Sequence, residues 1–554
     1  MQYWSRVIRR DIFRLLALLS LGWLGLACTP ARTEEPKMGP EITILTPQAP
    51  TQPPESALPA SEMATGVPQP TLSSISTEAI STPSASGSPA ATMLPATEPV
   101  PAQATPPAPG GSPAAPGIPG GSPAIPARSI FGIELHAISE QGGLGLLTGA
   151  GGKWVRRNAL LWLEVESQPG ERSWQNLAKL EAELQAAAGQ DLQTILIVRG
   201  TPLFARQVAG SACGPVAADY FSDFADFLAE AVSRYSQPPY NVRYWEIGNE
   251  PDVDPGLVKG DSVYGCWGDQ SDPYYGGGHY GEMLKVVYPR VKAANPEVQV
   301  LLGGLLLDCD PANPPETSPG SGKVKDCSSG RFLEGILQAG GGAYFDAVSF
   351  HAYDYYGEGL GRYGNLNWFS TWNTTGPVVT AKTQFLTHLL ARYGWGNKPL
   401  LNTEVALICG SAPGICASEA FALTKAYYAA QVNASALQSG VTANVWYSLQ
   451  GWRESGLVGS GNSPNLTYTA YAASLERLSG AVSAGPLRLE TGLMGVAYNR
   501  QGTAGWIIWA VDEGTHRMPL PETPTAAFDV FGEALAVTNP VEIGVAPVYF
   551  EWQP

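Results

Sequence analysis

Two glutamates stand where this sequence could do acid–base or nucleophilic chemistry. Glu250 lies in Tyr244-Trp245-Glu246-Ile247-Gly248-Asn249-Glu250-Pro251-Asp252, and Glu404 ends Leu401-Asn402-Thr403-Glu404. Tyr244 to Ile247 are aromatic or β-branched around one acid, the pattern of a short buried strand. Gly248 frees the backbone and Pro251 forbids further pairing, which leaves Asn249 and Glu250 at the strand's C-terminal tip. A carboxylate there, beside an amide that can hold a hydroxyl, suits acid–base work. A lone Asn-Glu-Pro is by default a surface turn. A second strand-end acid, Glu404, is what lifts it above that default.

The elements that must position these residues come from the alternation of short apolar strands with helical stretches between Ser129 and about Gly480. Strands are expected at 131–136, 153–158, 194–198, 243–247, 298–303, 347–351, 400–404 and 441–449. Helices are expected at 174–188, 220–235, 280–294, 331–340, 381–393, 418–439 and 468–478. Eight strands alternating with such helices predict an α/β fold, a (β/α)8 barrel over residues 129–480. The alternative, a doubly wound open sheet, lacks a Gly-rich phosphate loop opening any helix. In a barrel the active residues sit at strand C-terminal ends. There the sequence offers Arg156 and Asn158 on strand two, Asn249 and Glu250 on strand four, and Phe350-His351-Ala352-Tyr353 on strand six. Asn402-Thr403-Glu404 follows on strand seven and Trp446-Tyr447 on strand eight.

Glu246 shares the strand parity of Glu250 and is expected one layer deeper, in a buried ion pair with Arg156 or Arg157. Arg157 has the opposite parity and belongs under a helix. Glu134 and His136 either line the mouth or support it. His279, His388 and His516 are expected on the surface or packed against helices.

The net charge of −16 leaves no basic stripe to neutralise phosphates, so nucleic-acid partners are excluded. Residues 1–28 combine Arg6, Arg9, Arg10 and Arg14 with an apolar run too short to span a bilayer, the form of a signal peptide. Its end, Gly25-Leu26-Ala27-Cys28, resembles a bacterial lipoprotein cleavage site with Cys28 lipidated, so the expected contact with a membrane is through a lipid anchor only. Residues 29–128 are rich in Pro, Ala, Ser, Thr and Gly and are expected to be a disordered tether. Six further cysteines, an even number in an exported chain, imply disulfides. Among the fifteen possible pairings, the local ones Cys309–Cys327 and Cys409–Cys416 close loops and leave Cys213 with Cys266. No Cys/His cluster suggests a metal, no cofactor motif is present, and nothing sets an oligomeric state.

The chain resembles a clan A glycoside hydrolase, the superfamily of retaining (β/α)8 glycosidases. The motifs are Trp154-Val155-Arg156 with Trp162 and Glu166-Ser167-Gln168-Pro169-Gly170; Arg199-Gly200-Thr201-Pro202; Trp245 to Asp252; Ala294-Asn295-Pro296 with Leu302-Gly303-Gly304; Phe350-His351-Ala352-Tyr353; and Leu401-Asn402-Thr403-Glu404. Within the clan it is most similar to family 39-like and family 5-like enzymes. The resemblance implies a carbohydrate substrate, with Glu250 as general acid/base of raised pKa and Glu404 as nucleophile of lowered pKa. It also implies that Arg156 keeps Glu404 ionised, that Asn249 binds the substrate 2-hydroxyl, and that His351 and Tyr353 orient nucleophile or sugar. Trp446 is expected on the substrate side with them.

Long loops after strands four, five, six and eight carry Tyr264, Trp267, Tyr274, Tyr275, Tyr355, Tyr356, Trp368, Trp372 and Trp452, candidates for stacking on sugars or for filling the loops. From residue 481 to 554 the pattern turns to strands at 487–499, 506–511, 528–530 and 548–551, expected as a small β-sandwich. The contrasting function is a non-catalytic glycan-binding surface lipoprotein on a degenerate barrel. That reading requires a missing acid, and both acids are here. A serine hydrolase lacks its Gly-x-Ser-x-Gly elbow.

Overall fold

The computed structural model describes residues 129–258, 262, 265–311, 327–365, 372 and 374–553. The expected signal peptide, Cys28 and the linker lie outside these residues. Among the described residues no helix is long and apolar enough to cross a membrane.

Eight parallel strands form one curled sheet: β1 (Phe131–Glu134), β2 (Trp154–Leu161), β3 (Gln193–Arg199), β4 (Tyr244–Asn249), β5 (Gln299–Gly304), β6 (Val348–Tyr356), β7 (Leu400–Ile408) and β8 (Ala443–Trp446). Their order is β5-β4-β3-β2-β1-β8-β7-β6. The two ends of that order are joined by backbone hydrogen bonds, from Leu302 N to Ala347 O (3.1 Å), Leu305 N to Ser349 O (3.0 Å) and His351 N to Leu305 O (2.8 Å). A helix follows each strand: α1 (Leu144–Gly149), α2 (Ala178–Gly189), α3 (Phe221–Tyr235), α4 (Gly277–Ala294), α5 (Phe332–Gln338), α6 (Val379–Arg392), α7 (Glu419–Ser439) and α8 (Leu466–Leu478).

The helices form where apolar residues recur every three or four positions. In α3 Phe221, Phe224, Ala225, Leu228, Ala231, Val232 and Tyr235 are buried against the sheet. The side chain of Ser418 caps α7, accepting from Phe421 N, and Gly440 ends it in the left-handed conformation.

The interior of the curled sheet is layered by the two-residue alternation of its strands. At the bottom Trp154, Ile195, Tyr244, Leu301, Ala347, Leu401, Ala443 and Val445 pack as an apolar floor. Two residues further along β2 and β4 come Arg156 and Glu246, both fully buried. The strand ends and their carboxylates lie above. Glycine is required in this middle layer at Gly304, where a Cβ would fall 2.2 Å from His351 Nε2 and 2.9 Å from Glu246 Oε1.

Strands six and seven run well past their expected ends, paired from Leu400↔Val348 to Ile408↔Tyr355. They raise a wall above the mouth, and Tyr363–Gly364 pairs antiparallel with Tyr355 and Tyr356 on its edge. The chain ends in a five-stranded antiparallel sheet (Val482–Pro486, Leu493–Arg500, Thr503–Ala510, Val548–Trp552 and Ala526–Phe528) and a two-stranded ribbon (His516–Met518 with Val541–Ile543). Ile508, Ala510 and Phe550 face the ribbon's Met518 and Ile543. Val496, Tyr498, Ile507, Trp509 and Tyr549 belong instead to the main core, so the sheet's other face is mounted on the helices.

Candidate active site

Arg156 organises the site. The parity of β2 turns it inward, whereas its neighbour Arg157 faces α2 and pairs with Glu183. Its Nε and Nη2 donate to Glu246 (3.1 and 2.8 Å), and Nη1 donates to Glu134 (2.6 Å). Nη1 also donates to Glu404, and Nη2 to Asn249 Oδ1 at 2.7 Å. One fully buried guanidinium thus serves three carboxylates. Of the two partners expected for Glu246, Arg156 is the one that pairs with it, and Glu134 is a supporting residue.

Both candidate catalytic acids sit where strand alternation breaks. If Glu246 points inward, strict alternation turns Asn249 outward. Gly248 (φ 84°) and Glu250 (φ 51°) adopt the left-handed conformation, and Asn249 reaches Arg156 in the centre. A non-glycine residue in this region carries strain of about 1–3 kcal/mol. On β7 the register slips between Asn402 and Glu404, so Thr403 is an extra residue against β6. Asn402, next to the floor residue Leu401, faces outward by ordinary alternation, bonded to Asn444, which reaches Asn433 of α7. Glu404 faces inward, accepting from Arg156 and from Tyr353 Oη.

One oxygen of Glu250, one ring nitrogen of His351 and one oxygen of Glu404 all lie within 4.8 Å of each other. His351 Nδ1 is 3.0 Å from Glu250 Oε1 and 3.5 Å from Glu404 Oε2, while Nε2 is 3.5 Å from Arg156 Nη2. Arginine can only donate, so this network assigns the proton to Nδ1, which donates to Glu250. Burial holds His351 down to about 4, so the ring is neutral. The same trio could geometrically hold a cation. The guanidinium already on Glu404 supplies the positive charge there, which disfavours a second one.

The two carboxyls differ in access and partners. The Glu250 side chain is 26% exposed and that of Glu404 8%. Burial pushes Glu250 up to about 7, against the pull of Arg156 and Lys382. Burial also raises Glu404 to about 7, opposed by His351 and Arg156. The expected lowering of the Glu404 pKa is therefore absent: burial outweighs His351 and Arg156, and the nearby Glu134 and Glu250 charges add to the rise. What separates the two groups is donors: Glu404 accepts from Arg156 and Tyr353, Glu250 from His351.

The other expected site residues fall as follows. Asn249, His351 and Tyr353 all join the Arg156–Glu404 cluster. Trp446 does not. Val445 belongs to the interior floor, so alternation turns Trp446 outward, fully buried between Tyr428 of α7 and Tyr471 of α8 with its indole N–H on Ser455 O (3.0 Å). The next residue, Tyr447, takes the inward place, its ring 6.0 Å from that of Tyr353. That parity was available in the sequence from Ala443 and Val445. Among the loop aromatics Trp267, Tyr275 and Trp372 are buried fillers, while Tyr355 and Trp452 stay partly exposed. Tyr264 and Trp368 lie outside the described residues. His388 is exposed, and His279 packs against Phe221 and Trp267.

The disulfides are Cys213–Cys266, Cys309–Cys327 and Cys409–Cys416. The first joins the loops after β3 and β4 beside Glu250, where a Cβ on Gly265 would fall 1.8 Å from Asn249 O.

No family model matches the chain, and no curated protein does. Solved structures do. A family 39 glycoside hydrolase from the gut symbiont Bacteroides cellulosilyticus WH2 is similar at 19% identity, over 77% of this chain and 81% of that one, with a TM-score of 0.56. A GH30 endoxylanase from Clostridium papyrosolvens C71 is similar at 12% identity, over 77% and 96%, with a TM-score of 0.51. A conserved exported protein from Bacteroides fragilis gives 12% identity, 77% and 92% coverage and a TM-score of 0.51. At these identities the shared property is the fold: a curled parallel α/β sheet of the kind that clan A glycoside hydrolases use.

Proposed function

We propose that the protein is a retaining glycosidase on a (β/α)8 barrel, hydrolysing β-linked O-glycosidic bonds of oligo- or polysaccharides by double displacement. The observation that carries this reading is the pair of carboxyls with oxygens within 4.8 Å, the deeper one held by an arginine and a tyrosine and the other open to water. A retaining pair stands about 5–5.5 Å apart, close enough for one carboxylate to attack while the other protonates. The names of two structural neighbours, a family 39 glycoside hydrolase and an endoxylanase, point the same way.

In the first step an oxygen of Glu404 attacks the anomeric carbon. The bond to the leaving oxygen breaks, and Glu250 gives that oxygen its proton. In the second step Glu250 takes a proton from water, the water oxygen attacks the same carbon, and Glu404 leaves as carboxylate. The proton taken from water in the second step returns Glu250 to the acid form with which the cycle began. Arg156 fixes Asn249 through Oδ1 and leaves the amide NH2 to donate to a sugar hydroxyl. Tyr353 and Arg156 hold Glu404 in line. The same reading places the enzyme outside the cell, held there by a lipid on Cys28, and the three disulfides support the exported location.

Glu404→Gln and Glu250→Gln, assayed on a panel of chromogenic β-glycosides and on oligosaccharides, test the proposal. Removing the general acid is expected to cost about 10²–10⁴-fold on oligosaccharides. The loss should be smaller on aryl glycosides whose leaving group needs no proton. Glu404→Gln should lose turnover on both. Undiminished turnover in both variants would overturn the reading.

A further inference from the structure

We propose that the cleft between the β6 wall and the C-terminal sheets is a distal glycan site, holding the part of an extended neutral β-linked chain that lies beyond the bond being cut. This rests on the glycosidase reading for the position of the cut, and on the structure for everything else. The cleft measures about 650 Å³, within the range of small-molecule sites. Tyr355, Arg362 and Tyr363 line it on the β6 side, and Asp512, Glu513 and Val545 on the side of the C-terminal sheets.

Three observations connect it to the carboxylates. On β6 alternation puts His351, Tyr353 and Tyr355 on one face, so Tyr355 stands one step outward, about 6–7 Å, from the tyrosine bonded to Glu404. The buried Asn365, also in the cleft wall, donates to Tyr353 O and ties that wall to the site. Gly361 (φ 75°) brings the two sides together: a Cβ there would fall 2.7 Å from Val545 Cβ, so only glycine permits the approach.

The chemistry of the lining matches a neutral sugar chain. Aromatic rings offer faces for the C–H surfaces of pyranoses. Around them stand an Arg362–Glu513 ion pair that spans the cleft, with side chains 58% and 63% exposed, and Asp512 beside His516. These groups donate to and accept from hydroxyls. Two carboxylates facing Arg362 and His516 leave no surplus positive charge for an anionic chain. The site is also preorganised, because the C-terminal sheet is mounted on the helices and Arg477 of α8 stacks on Phe528 (4.1 Å) and Tyr549 (5.3 Å).

The test separates binding from turnover. In the full chain carrying Glu404→Gln, β-1,4-linked xylo- and gluco-oligosaccharides from disaccharide to hexasaccharide are titrated calorimetrically, with and without Arg362→Ala or Glu513→Ala. Both residues are exposed, so the variants should fold. The expected result is affinity rising with chain length, and a loss of about tenfold or more for the hexasaccharide in the double-substituted chains with the disaccharide unaffected. In the otherwise unaltered chain, aryl β-glycoside hydrolysis should be unchanged by Arg362→Ala or Glu513→Ala. Equal hexasaccharide affinity with and without these substitutions overturns the cleft. Length-dependent binding that these substitutions weaken, in a chain that hydrolyses no β-glycoside, upholds the cleft and overturns the reaction instead.

Discussion

Arg156→Met removes the one charge that three buried carboxylates share while keeping much of the side-chain volume. Breaking a buried ion pair by deleting one partner costs about 3–5 kcal/mol, because the remaining charge is left uncompensated. Here Glu134, Glu246 and Glu404 would all be left so, and Glu404, nearest the mouth, holds a proton more readily without the guanidinium. Divided evenly among the three, the share that falls on Glu404 is about 1–1.7 kcal/mol, equivalent to about one pH unit. In the proposed reaction Glu404 attacks as a carboxylate, so the acidic limb of kcat/KM on an aryl β-glycoside should move to higher pH by about that amount. On that limb the rate should then fall about tenfold from ionisation alone. Arg156→Lys keeps the charge but loses the fork that reaches Glu246 and Asn249 together. It should restore the limb more than it restores kcat. Stability gives the second readout. A carboxyl whose pKa is raised in the folded state binds more protons folded than unfolded, so its contribution is present at low pH and lost as pH rises through the folded value. Urea unfolding of Arg156→Met should therefore show a larger deficit against the parent at pH 8 than at pH 5. An unmoved acidic limb together with equal deficits at both pH values would refute the shared-charge argument.

Two further outcomes follow from the same physics. Glu250, Asp252, Asp354 and Glu404 are each raised by burial to about 7 from ordinary values of 3.8 or 4.5, so the folded chain holds extra protons between those values. Stability should fall as pH rises from about 4.5 to 7, and a calorimetric Tm that stays level or climbs over that window would contradict it. Replacing Cys213 and Cys266 together by serine opens a loop with a sequence separation of 53 and should cost up to about 4 kcal/mol, read from urea midpoints; an unchanged midpoint would show that the unfolded chain is not constrained by this bond.

The eight strand cores were legible because each is a short apolar run set between helical periods, and all eight appear within a few residues of their expected places. That Glu246 lies in a buried ion pair was legible too, from parity, although the sequence left its partner open between Arg156 and Arg157. What escaped was the continuation of β6 and β7. Tyr353-Asp354-Tyr355-Tyr356 and Val405-Ala406-Leu407-Ile408 have strand propensity, but with His351 and Glu404 as strand tips the expected strands end there. Pairing between two extensions is a tertiary fact: each is stabilised by the other, from Val405↔Ala352 to Ile408↔Tyr355, rather than by its own sequence. Trp446 was misplaced for a different reason. Its size and its position near a strand end outweighed the alternation that Ala443 and Val445 define, and Tyr447 has the inward place instead. The slip at Thr403 leaves no local mark, since no glycine or proline announces it.

That slip bears on how the site is built. A glutamate on a regular seventh strand in register with Asn402 would share the face of Asn402, which points to α7 and its Asn433. Regular alternation on β4 would likewise send Asn249 away from Arg156. In each strand one irregular residue, Thr403 or Gly248, turns the next polar side chain toward the guanidinium. The energetic balance is then local. Strain of about 1–3 kcal/mol at a left-handed Glu250 is set against the charge-assisted hydrogen bonds that Arg156 makes with Asn249 and Glu404, each worth about 1.5–3 kcal/mol. The layer below Arg156 is apolar and the layer above is open to water, so the guanidinium is at the only depth where it can be desolvated and still touch the mouth. Its burial sets how strongly it acts on Glu404, and its sharing among three acids sets how far that action goes.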